Sequence, residues 1–163
     1  MYKLIYSSLL GCALLATTSA WAQDTLPTVE DRDGWAVHQS EMSYPSLVDS
    51  VKAAAEASDL GVVTEAGPTQ AAADRGVDIP GNRVIGLFNN DYAVTVLHAS
   101  TAAMIEAPIR MYVTEAPDGT ATLSYKLPTS VYEPYMEEGG DALAEAAEAL
   151  EADFESVAKD ALE

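Results

Sequence analysis

The stretch Ile79-Pro80-Gly81-Asn82-Arg83-Val84-Ile85-Gly86-Leu87-Phe88-Asn89-Asn90, followed after one helical turn pattern by Ala107-Pro108-Ile109-Arg110-Met111-Tyr112-Val113-Thr114-Glu115, decides the fold. Arg83 to Phe88 is apolar on both sides of the alternation, as in a strand buried inside a sheet. Gly86 in the middle of it marks a place where another group approaches the backbone closely. Asn89-Asn90-Asp91 offers side-chain acceptors to the exposed N–H groups of a helix start, predicting a helix from Tyr92 to about Ser100. Ile109 to Thr114 reads as the next strand. Pro117-Asp118-Gly119 is a turn, and Thr120 to Tyr125 returns as an antiparallel partner.

Upstream, Trp35 to Ser40 is a first strand. Ser43 and Pro45 have the chemistry of a helix start. Leu47, Val48, Val51, Ala54 and Ala55 then recur at helical spacing through Ser58, and Gly61 is placed as the stop. Val62 to Glu65 is a short strand, and Thr69 to Arg75 a short Ala-rich helix. Downstream, Pro128 to Tyr135 is a short aromatic segment and Glu137 to Gly140 a hinge-like loop. From Asp141 to about Ala161, Leu143, Ala147, Leu150, Phe154, Val157 and Ala161 draw one apolar stripe along a long helix. The order of elements predicts an α+β fold: a small antiparallel or mixed sheet, helices packed on one face, and a long C-terminal helix.

The chain has 163 residues, enough for one domain with a real core and no staples. Residues 1–22 read as a secretory signal peptide: Lys3 gives the positive start, Leu4 to Ala16 the apolar run, and Ala20-Trp21-Ala22 the cleavage site. Leu9-Leu10-Gly11-Cys12 also resembles a lipoprotein box, but the apolar run continues past Cys12. The expected organisation is a leader over 1–22, a mobile lead-in over 23–33, a core domain over 34–136 and an acidic helix over 137–163 packed on that core. The expected location is periplasmic or secreted, with no membrane span in the mature form.

Asp and Glu number 26 against 8 Lys and Arg, for a net charge of −18. Such a surface repels a phosphate backbone, which argues against a nucleic-acid partner. Cys12, the sole cysteine, leaves with the leader. Thiol catalysis and cysteine-based metal sites go with it.

The residues resemble a known family. Gly76-Val77-Asp78-Ile79-Pro80, the strand Val84 to Asn89, Ala107-Pro108-Ile109-Arg110, and Glu115 through Asp118-Gly119 to Leu123-Ser124-Tyr125 are similar to the domain of unknown function 302 family. The segment Val37 to Leu60 fits its opening part, so the resemblance spans roughly Trp35 to Tyr135. It implies a compact α+β domain of the kind found in exported bacterial members, and no activity. Some members carry a Cys beside the proline equivalent to Pro108; this chain has Ala107, which removes a thiol role here.

Candidate chemistry is sparse. His38 and His98, with scattered methionines, lack metal-ligand spacing, so no metal and no cofactor are expected. No Gly-x-Ser-x-Gly elbow is present. An enzyme is not the favoured reading; a cofactor-free one would have to use a His. A cation in an apolar strand needs a partner, and Arg110 could take Glu106, Glu115 or an anionic ligand. The candidate ligand-binding set is Arg110, Tyr112, Tyr125, Arg83, Asn89 and His98. The expected function is a small-molecule or protein-binding accessory module of the cell envelope, with a homodimer through the last helix as a structural alternative.

Overall fold

A computed structural model describes residues 26–163. The expected leader, and the lead-in up to residue 25, lie outside the described residues.

Five strands form one antiparallel sheet: β1 (Trp35–Ser43), β2 (Gly61–Ala66), β3 (Asn82–Phe88), β4 (Ile109–Glu115) and β5 (Thr120–Lys126). Their spatial order is β1-β5-β4-β3-β2. β4 holds the middle position. β3 is interior too, one place from the edge. The helices are α1 (Tyr44–Ala57), α2 (Thr69–Ala73), α3 (Asn90–Ala99), α4 (Pro128–Tyr132) and α5 (Met136–Leu162), with short 3-10 turns at Ala103–Glu106 and Glu133–Tyr135. This is the α+β fold with a long C-terminal helix that the order of elements predicts.

The helix-side face of the sheet and the helices share one core. The alternation of β4 and β5 sends Ile109, Met111 and Val113, and Ala121, Leu123 and Tyr125, to this side, where all are buried. Ile85 and Leu87 join them from β3. The five apolar residues of α1 that recur at helical spacing are all buried. So is the stripe of α5, with Leu143, Phe154 and Val157 fully enclosed. Phe154 packs on Tyr125 with ring centroids 5.5 Å apart. The stripe therefore belongs to the chain's own core and is not an exposed seam for a second copy.

Local details differ from expectation in three places. Ser43 has the extended backbone of a helix cap, but its hydroxyl bonds the Ser46 hydroxyl at 2.9 Å instead of a backbone N–H. Ser58 takes the end of α1, and Gly61 opens β2. The last helix begins at Met136, before the expected hinge, and the break falls on Gly140, whose φ of 56 and ψ of −152 are not helical.

Candidate functional site

Among the described residues no helix layer covers the second face of the sheet, and its side chains follow from the strand register. One row across the strands reads Trp35, Lys126, Arg110, Gly86 and Thr64. The next reads Val37, Ser124, Tyr112, Val84 and Ala66. Two features make a recess at one end of this face. The link after Ala103–Glu106 enters β4 through a cis Ala107-Pro108 peptide, and β5 runs directly into α4. Pro108 lies over Gly86: a β-carbon built on Gly86 would stand 2.9 Å from Pro108 Cγ and would overlap Thr64 Oγ1. The glycine is thus the close-approach point that its place in an apolar strand predicts.

The resulting groove has a volume of about 310 Å³, at the small end of the range for small-molecule sites. Val84 and Val131 supply apolar surface; Trp35 and Tyr112 supply aromatic surface; Arg110, Lys126 and Glu106 supply charge. Asn82 donates to the Tyr112 hydroxyl. That bond anchors the ring and leaves the phenol's own O–H available to donate. The Lys126 ammonium lies 5.9 Å from the centre of the Trp35 ring and the Arg32 guanidinium 5.4 Å, within range of attraction to the ring's negative face.

Arg110 makes no ion pair among the described residues. Both carboxylates expected to serve it are engaged elsewhere. Glu106 accepts a hydrogen bond of 2.8 Å from the Tyr135 hydroxyl, and that bond raises the Tyr135 pKa. Burial pushes Tyr132 up to about 12, with the Glu106 charge adding to the shift. Glu115 sits on the helix side and accepts from the Gly81 N–H at 2.6 Å. Of the other described cations, Lys52 and Arg83 both reach Glu65, at 2.8 and 3.7 Å, and Lys159 reaches Glu163 at 4.0 Å. Arg75 follows α2, away from the groove. Arg32, Arg110 and Lys126 gather at the groove and its Trp35 wall.

Of the six residues expected to bind ligand, the structure brings two together in the groove, Arg110 and Tyr112. Tyr125 pairs across the strands with Met111 and so faces the helices. Burial pushes its pKa up to about 12, with Glu155 and Glu151 nearby. Arg83 is on the helix side with Glu65. Asn89 caps α3, its side chain accepting from the Asp91 and Tyr92 N–H groups. His98 is exposed on α3. His38 stacks on Tyr125 at 6.1 Å on the core side, so neither histidine lines the groove. The sequence reading missed Trp35, Lys126, Asn82 and Val84 as groove residues. The signal for Val84 was available in strand parity with Tyr112; Trp35 and Lys126 depend on the β1–β5 pairing.

Among the described residues no three His, Cys, Asp or Glu side chains converge as a metal ion would require, and no helix is long and apolar enough to cross a membrane.

No curated protein matches the chain. Among solved structures it is similar to the crystal structure of an uncharacterized conserved protein DUF302 from Bacillus stearothermophilus. The TM-score is 0.70 at 15% identity, covering 80% of this chain and 99% of that one. At that identity the likeness concerns the fold. The family model described as domain of unknown function DUF302 matches residues 36–160, a span that runs from β1 through nearly all of α5, and the chain belongs to that family.

Proposed function

We propose that this protein is an exported cell-envelope module that binds a small molecule in the groove on the helix-free face of its sheet. The observation that carries the reading is Arg110: an exposed guanidinium in a largely apolar recess, with no carboxylate partner among the described residues, in a protein of net charge −18. In so acidic a chain, a cation left without a carboxylate partner is suited to an external ligand. A recess of this size suits a small molecule better than a flat protein epitope. The groove offers charge, apolar wall and one phenolic donor, which is equipment for holding a ligand. The leader-like residues 1–22 support export.

The test is native mass spectrometry of the protein recovered from its own periplasm. A stoichiometric organic adduct is expected in the wild-type chain. It should be lost in Val84→Trp, which fills the groove, and kept in His98→Ala, which lies on α3. A bare wild-type mass, or an adduct indifferent to Val84→Trp, overturns the groove as the carrying site.

A further inference from the structure

We infer that the groove's ligand is a small amphipathic monocarboxylate: one anionic head seated between Arg110 and Lys126, with an apolar body along Val84, Tyr112 and Trp35. This rests on the groove being a binding site and adds the chemical class.

The first support is the register. Met111 pairs with Tyr125 and Trp35 with Lys126. One further step places Arg110 opposite Lys126 on neighbouring strands and the same face. Like charges directly opposite one another destabilise a sheet. An anion between them reverses that sign, and a guanidinium can hold a carboxylate through two parallel hydrogen bonds.

Charge counting inside the groove narrows the head group. Two cations and Glu106 line it, so the site complements a single negative charge. A dianionic phosphate would meet Glu106 as a repulsive neighbour. A bare inorganic anion would leave the aromatic and aliphatic walls unused. Those walls require a hydrophobic body, and the volume of about 310 Å³ keeps that body short.

The experiment uses the protein recovered from its own periplasm, where cleavage after Ala22 would remove Trp21 and leave Trp35 in the groove wall as the reporting tryptophan. Calorimetry and Trp35 fluorescence are followed with octanoate, octanol, acetate and octyl phosphate. Octanoate is expected to bind and to perturb Trp35. Shortening it to hexanoate should weaken binding by roughly two- to fourfold per methylene. Arg110→Ala should weaken octanoate by roughly tenfold, the lower end expected for a charged hydrogen bond at an exposed position. High salt should weaken octanoate and leave octanol unaffected. Octanol or octyl phosphate binding as tightly as octanoate overturns the carboxylate assignment while leaving the groove a binding site. Octanoate binding that is indifferent to Arg110→Ala overturns the placement of the head group. If none of the four probes binds, the class assignment falls. The separate reading of the groove as a carrying site then stands or falls on the native adduct and its loss in Val84→Trp.

Discussion

Arg110 of β4 and Lys126 of β5 stand opposite each other on the second face of the sheet, and among the described residues no carboxylate bridges them. Trp35 completes the row on the far side of Lys126. Two cations side by side in an acidic protein are a standing repulsion that an anion relieves.

Removing one of these charges should therefore stabilise the free protein. Arg110→Thr is expected to raise the stability by roughly 0.5 kcal/mol at low ionic strength, since it ends a like-charge pair and places a β-branched residue in a strand. The gain should shrink as salt is added, because both groups are exposed and screened. Urea midpoints of the two proteins at low and high sodium chloride decide it. A loss of stability at low salt would mean that Arg110 has an intramolecular partner after all.

Gly86→Ala should be destabilising by about 1–3 kcal/mol, the usual cost of overpacking. The new methyl group would press on Pro108 Cγ at 2.9 Å and on Thr64 Oγ1. Thr64 lies on the exposed edge strand and can rotate away, but the proline ring cannot. The variant should also displace the Pro108 end of the groove. Denaturant midpoint and octanoate affinity should fall together, and an unchanged midpoint would show that the link before β4 yields freely.

Phe154→Ala should cost about 3–5 kcal/mol, the range for deleting a buried phenylalanine. Phe154 is fully buried on the α5 stripe against Tyr125. A loss under about 1 kcal/mol would mean that α5 is only loosely attached to the sheet.

Alkaline pH should unfold the protein through its tyrosines. Burial raises Tyr125 and Tyr132 to about 12 from the ordinary 10.0. The folded state then holds phenolic protons that the unfolded chain releases. Stability from this source is fully present below pH 10 and falls as pH rises from about 10 towards about 12. Urea titrations across that interval should show the decline, and Tyr132→Phe should make it shallower. A flat profile would place both phenols in contact with solvent.

Much of the fold was legible because it rests on local pattern. The apolar stripe of α5, the α1 periodicity, the Asn89 cap and the Pro117-Asp118-Gly119 turn each depend on neighbours a few residues away. Arg110 was also visible, since a cation inside an apolar strand stands out. Tyr125 was grouped with Arg110 and Tyr112 by residue type, whereas parity separates them: Tyr125 shares a face with Met111, the residue between those two. Arg83 carries a charge that suits a site equally well, and only the structure shows it taken by Glu65; Asn89 is expected both to cap α3 and to bind ligand, and its side-chain oxygen serves the cap. Trp35 and Lys126 could not be found from local pattern. They meet Arg110 only because β1 crosses to the far edge of the sheet and pairs with β5, an outcome of packing over the whole domain.

That crossing has a consequence for the life of the chain. Trp35 is made early and Lys126 late, with β2, β3 and β4 between them. No fragment ending before β5 can contain the cation pair beside its aromatic wall, however well its helices form. On the reading proposed above, ligand capture would certify a finished molecule: a half-synthesised copy lacks one wall of the groove, and a bound ligand would hold the first and last strands together against unzipping from that edge.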